Sequence, residues 1–224
     1  MENHIVSKER VSAHGEVFTQ KREVNAMLDL VKQETERIDS RFLEPACGTG
    51  NFLSEILERK LKVVEDRYKK SQPEFEKYAV LAVASIYGIE LLEDNVIECR
   101  KRLFGIFDWK YTELFKNKTK NECRASVKHI LEKNIIWGDA LTLKTQGSKP
   151  QPITFAEWSL VNSNKIKRRD FTMNVLINSY QSAQMELFGE PDLFAEFDEE
   201  EFIPKPTKDF PPVHFLQLGE NDED

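Results

Sequence analysis

Apolar residues Val24, Met27, Leu28 and Val31 recur at helical spacing among Asp, Glu and Lys, and predict a helix over Thr19–Glu36. Arg41–Glu44 is short, follows Asp39-Ser40, and predicts a buried strand. A helix is predicted from Asn51 to about Lys70, and another over Pro73–Ser85, where proline suits the first turn. IYGIE, Ile86–Glu90, predicts a second strand. Leu92–Phe107 predicts a helix with Val96, Ile97, Cys99, Leu103 and Phe104 as its apolar face. Ser126–Glu132 reads as helix, Asn134–Gly138 as a third strand and Ile153–Trp158 as a fourth. Strands separated by helices predict an α/β fold, a parallel sheet covered on both faces.

Composition changes this picture mainly at the C-terminal end. The 224 residues suffice for one domain with a core and a tail, and hydrophobic residues make up 40%. From Glu186 to Asp224 there are 13 acidic and 2 basic residues, a net of −11. The rest of the chain carries 26 acidic and 30 basic residues, a net of +4, a charge that suits nucleic acid only weakly. Prolines, acids and scattered aromatics in the tail predict disorder. The chain therefore divides into an N-terminal helical segment (residues 1–40), an α/β body (41–184) and an acidic tail (185–224). No apolar run approaches a membrane span, and MENHIVSKER has no apolar h-region. Three cysteines, Cys47, Cys99 and Cys123, show no metal-ligand spacing, so neither disulfides nor zinc are expected, and a reduced, cytoplasmic setting is.

The stretch LEPACGTGNFL, Leu43–Leu53, joins the first strand to the next helix. Ligands of open α/β sheets sit at the C-terminal strand ends. Gly48 and Gly50 allow a tight turn and a close backbone approach, and the helix from Asn51 offers free N–H groups. An ordinary glycine turn is the plain alternative. Leu53 occupies the third glycine position of a dinucleotide fingerprint, which argues against a nicotinamide cofactor. Glu44, just before the loop, suits a ligand with a cationic amine and a nucleoside, such as S-adenosylmethionine.

LEPACGTGNFL resembles the cofactor motif of adenine-specific (N6) DNA methyltransferases, especially the modification subunits of type I restriction-modification systems and their relatives. GEVFTQKREVNAMLDLV (Gly15–Val31), YGIELLEDNVIECRKRL (Tyr87–Leu103) and IIWGDAL (Ile135–Leu141) resemble that family's flanking motifs, in its order, with Gln20 where a proline is usual. The resemblance covers roughly the first 145 residues. It implies a Rossmann-like methyltransferase sheet, here incomplete, and S-adenosylmethionine as cofactor. It implies that Phe18, Thr19, Glu44, Ala46, Gly48, Gly50, Asn51, Phe52, Glu90, Asp139 and Ala140 line the cofactor site. Glu90 would accept the ribose hydroxyls and Asp139 the adenine amine. The plain alternatives are a strand-end acid at Glu90, a turn residue at Asp139 and a helix cap at Thr19.

The family's fourth motif, Asn/Asp-Pro-Pro-aromatic, holds the target adenine and stacks on the flipped base. After ITFAEW come Asn162 and Asn164 but no Pro-Pro pair. Pro211-Pro212 in DFPPVHF follows no predicted strand and reads as a decoy. No catalytic residue is assigned. KIKRRD places Lys165, Lys167, Arg168 and Arg169 together, suited to DNA phosphates or to a solvated helix start or loop. QMELF, Gln184–Phe188, resembles the peptide by which replication proteins dock on a sliding clamp. Two functions stand: the cofactor-binding part of a DNA methyltransferase, with a second subunit supplying the missing motif, or a silent methyltransferase fold acting as a DNA- or protein-binding module.

Overall fold

The computed structural model describes residues 19–177 and 204–220. Phe18 and the QMELF peptide lie outside the described residues. The predicted first helix is broken in two, α1 (Lys21–Asp29) and α2 (Lys32–Thr35). Only Val24 and Leu28 of α1 are buried, and Leu30 and Val31 are exposed, so no apolar stripe carries the helix further. Strand β1 (Phe42–Glu44) leads to α3 (Asn51–Tyr68) and α4 (Gln72–Ala84), with Pro73 in the first turn of α4. Then follow β2 (Ile86–Glu90), α5 (Glu93–Phe115), α6 (Asn121–Asn134) and β3 (Ile135–Asp139). Helices α5 and α6 outrun their predicted spans. Tyr111 and Phe107 extend the buried face of α5, and Cys123 and Val127 begin that of α6.

Strands β1, β2 and β3 are parallel neighbours in that order, in the registers Glu44↔Gly88 and Glu90↔Trp137. A short β4 (Lys144–Thr145) adds antiparallel to β3. The chain is thus α/β with a mixed sheet. Strand β2 is buried at every position. Its Ile86 packs into the helix layer, whereas Tyr87 and Ile89 pack on Ile153 and Phe155 of the opposite face.

That opposite face is covered by a β-ribbon rather than by helices. Strand β5 (Thr154–Leu160) pairs antiparallel with β6 (Lys165–Thr172), from Thr154↔Thr172 to Leu160↔Ile166. The predicted fourth strand therefore exists but does not extend the parallel array. KIKRRD, read as a helix start or loop, is strand β6, because Ile166, Asp170 and Phe171 are buried against its neighbours.

The predicted disorder of the tail fails over residues 204–220. There β7 (Lys208–Asp209) and β8 (Val213–His214) pair with β6. Phe215 and Leu218 are 3% and 5% exposed, and the Leu218 N–H donates to Ser126 Oγ of α6 at 3.4 Å. The net of −11 misleads because residues 204–220 hold two acids and two bases, with the excess acids elsewhere in the tail. The remainder of residues 185–224 lies outside the described residues. None of the described helices is long and apolar enough to cross a membrane.

Two buried polar knots tie the helix layer. Glu76, fully buried on α4, accepts from Tyr111 Oη, from Lys120 Nζ at 2.7 Å and from Gln72 Nε2 at 2.7 Å. Lys60, fully buried on α3, donates to the carbonyls of Arg37, Ile38 and Ser40 at 2.8, 3.1 and 2.5 Å. The second knot fixes the turn that delivers the chain into β1.

Candidate functional site at the strand ends

The C-terminal ends of β1, β2 and β3 each carry an acid, Glu44, Glu90 and Asp139. After Glu44 the chain turns through residues 45–50 into α3. Gly48 and Gly50 take φ of +52° and +85°, which other residues adopt only under strain. The turn is pinned by Cys47 N–H to Ile89 O at 3.0 Å and by Gly50 N–H to Cys47 O at 2.8 Å. A Cβ on Gly50 would lie 2.7 Å from Cys99 Sγ, and one on Gly88 would lie 2.8 Å from Cys47 Sγ. Both glycines let loop, strand and helix approach where no side chain fits.

Glu90 clasps this loop. Its Oε2 accepts the Gly48 N–H at 2.8 Å, and its Oε1 accepts the Leu92 N–H at 3.0 Å and Asn95 Nδ2 at 3.4 Å. The side chain is 8% exposed, so its charge is held by three donors instead of bulk water. Burial pushes the Glu44 carboxyl above its usual range, and a hydrogen bond from the Ala46 backbone partly offsets this. Asp139 is the opposite case. The Leu141 N–H at 2.9 Å and Thr142 Oγ1 at 2.9 Å hold its carboxyl below the usual range. Those same bonds shape the turn from β3 into β4.

Of the remaining predicted lining residues, Asn51 Oδ1 accepts Arg102 Nη1 at 2.6 Å and ties the start of α3 to α5. Phe52 packs against the helix-side core, and Ala140 against the Tyr87–Phe155 cluster. Ala46 is exposed in the loop. Thr19 is half-buried one residue before Gln20, which caps α1 in its place. The structure thus brings the glycine loop and Glu90 into contact and sets Asp139 on the neighbouring strand end.

Asn95, Cys99 and Arg102 were missed as supports of the site. Their signal lies in the chain, since residues three and four apart share one helix face, and that face of α5 meets the loop. Cys47 and Cys99 are buried. A hydrogen bond with Cys99 and burial together push the Cys47 thiol far up, so it is a packed, unreactive group.

A gain of side chain at Gly50 tests the loop. Gly50→Ala forces both a positive φ and the overlap with Cys99 Sγ. It should destabilise the fold by about 2–4 kcal/mol, read by urea denaturation. Adding Cys99→Ala should recover the overlap part and leave the backbone strain. Equal loss in single and double variants would show that the close approach carries no energy.

No described element supplies the fourth motif. Strand β5 runs opposite to the parallel strands: Ile153 lies beside Gly138 at the end of β3, while Trp158 Nε1 donates to Asn134 Oδ1 just before β3 begins. Asn162 and Asn164 therefore fall at the far end from the glycine loop. Asn162 sits at φ +84° in the ribbon turn, and the Asn164 carbonyl accepts the Phe215 N–H at 3.0 Å. Pro211 lines a small cavity with Trp158, Arg168 and Leu218 at that same far end.

Three of the four basic strand residues are engaged in ion pairs. Lys167 meets Asp209 at 2.9 Å, Arg168 meets Asp170 at 2.7 Å and Arg169 meets Glu157 at 2.6 Å. Arg168 also lies 4.3 Å from the Phe210 ring and 5.7 Å from that of Trp158. Lys165 stands in register with His214. Lys167 and Arg169 thus cross-link β6 to β7 and β5. No protein-family model, curated protein or solved structure matches the chain.

Proposed function

We propose that this chain is the S-adenosylmethionine-binding part of an adenine-specific DNA methyltransferase linked to restriction-modification. It is silent in methyl transfer until a second chain supplies the acceptor motif. The observation that carries the reading is the clasp of Glu90 on the Gly48 N–H, which joins the acid of one parallel strand to the glycine loop of the next.

The residues fit such a cofactor. A Cβ on Gly48 would meet nothing within 4 Å, so the loop has open space on its outer side. Glu90 is placed to exchange or share the Gly48 N–H for a pair of ribose hydroxyls. Asp139, held ionised, accepts an exocyclic amine. Glu44, disfavoured as an anion by burial, gains from a cationic neighbour, which restores its charged form. When bound, the cofactor supplies an electrophilic methyl group on its sulfonium, so the protein's own contribution is placement.

A second reading is a silent fold used as a DNA- or protein-binding module. It is favoured by the position of Pro211 and of Asn162 at the end of the sheet remote from the loop.

Calorimetry with S-adenosylhomocysteine tests the first reading. Saturable binding is expected, weakened about 10- to 100-fold by Glu90→Gln, the loss expected when hydrogen bonds to a charged acceptor go. No heat at about millimolar ligand would leave only the second reading.

A further inference from the structure

At the opposite end of the sheet, before β1 and β2 begin, lies a cavity of about 660 Å³. Its lining includes Arg37, Asp39, Arg41, Arg67, Tyr68 and Tyr78, and Arg37 is paired with Glu34 at 3.3 Å and with Asp39 at 3.6 Å. Tyr68 and Tyr78 stack with centroids 4.2 Å apart and planes within 7°. Lys77 Nζ lies 4.8 Å from the Tyr78 centroid. Tyr78 is thus engaged by both neighbours.

The cations at the end of α3 differ from those of strand β6. Arg67, Lys69 and Lys70, in the run RYKK at the C-terminal end of α3, are all exposed. Among the described residues, none of the three lies within ion-pair distance of a carboxylate. Asp66, next in sequence, is taken by Lys62 at 2.9 Å. Arg41 shares one carboxylate, Glu157, with Arg169, which leaves one net positive charge on that trio. Behind the wall, Lys60 faces the carbonyls of Arg37, Ile38 and Ser40. Cations near the end of a helix also complement its dipole, but one such residue serves that purpose, and the dipole asks for no aromatic pair beside it. Unpaired cations interleaved with a stacking ring are what a single-stranded nucleic acid requires, since phosphates take the charge and a base takes the ring.

We propose that the rim of this cavity at the end of α3 is a nucleic-acid site: Arg67, which lines it, and Lys69 and Lys70, which follow on the exposed helix end, take successive phosphates of a single strand, and Tyr68 stacks on a base. The site is remote from the glycine loop and separate from the basic strand β6, so it stands whether or not the loop binds a nucleoside cofactor. Its ligand chemistry, a phosphate attached to an aromatic base, is shared by a polynucleotide and a free nucleotide.

Fluorescence anisotropy with a labelled oligo-dT of about 12 nucleotides decides the matter. The native chain should bind at low salt, with an affinity that falls as salt rises. The triple variant Arg67→Ala/Lys69→Ala/Lys70→Ala should bind at least about tenfold more weakly, with a log–log salt slope shallower by about 2, the share of three single-strand phosphates. Tyr68→Leu should weaken binding about 5- to 100-fold at unchanged slope. Resistance to excess AMP agrees with a strand held on several phosphates, and full displacement by AMP would identify a mononucleotide site and overturn that assignment. Thermal melts of the variants, all at exposed or half-exposed positions, should match the native chain. Failure of the native chain to bind at low salt, or a triple variant with unchanged affinity and slope, would overturn it.

Discussion

Deleting residues 204–224 should destabilise the protein by about 3–6 kcal/mol, the sum for two large apolar side chains returned to water. Phe215 and Leu218 are the side chains concerned, and both are nearly fully buried. The deletion also unpairs β6 along one edge and removes Phe210 from the face of Arg168. Trp158 and Ile166, which line the same small cavity as Phe210 and Leu218, would gain exposure. Urea denaturation of the shortened chain reads the loss directly. An unchanged midpoint and slope would mean that this segment rests on the body without stabilising it.

Lys60→Met should destabilise by about 2–4 kcal/mol, because three carbonyls lose their donor while the aliphatic packing is kept. The native side chain also carries a pH signature. Burial lowers the Lys60 ammonium from 10.5 to about 7, against the opposing pull of Asp39. Between about 7 and 10.5 the unfolded chain holds a proton that the folded one has released. Stability from this group is therefore lowest below that window and rises with pH through it. Lys60→Met should flatten the rise. A variant as stable as the native chain, with the same pH profile, would show that the turn before β1 is held by something else.

Much of the parallel half was legible in the chain. Strands β1, β2 and β3 were predicted within two residues of their observed ends, since each is a short apolar run between helices and ends in an acid or a Gly-Asp pair. The order of glycine loop, Glu90 and Asp139 fixed which strand ends meet. The antiparallel half was less legible. Lys167 and Arg169 look like part of a solvated run because their partners, Asp209 and Glu157, come from other elements. A strand whose charges are neutralised across its edges shows no apolar alternation to read. The tail was misread for a related reason. Charge was averaged over residues that fall into unlike parts, and the neutral part contains the aromatic anchors. In the candidate site, Glu90 was expected at a strand end, but its grip on Gly48 depends on a loop–strand contact that no local pattern encodes.

The closure of residues 204–220 over β6 bears on the order of assembly. The bond from Leu218 to Ser126 spans 92 positions, whereas bonds within the helix layer span fewer, 44 between Lys120 and Glu76 and 51 between Arg102 and Asn51. Contacts of long sequence separation carry the larger loop-closure entropy and form later. During synthesis the helical layer and the glycine loop emerge well before the segment that seals the ribbon, so the buried faces of Trp158 and Ile166 wait uncovered until residues 204–220 arrive. That interval, set by elongation at about 5–20 residues per second, is when a nascent copy is most open to capture by a chaperone or by another unfinished chain.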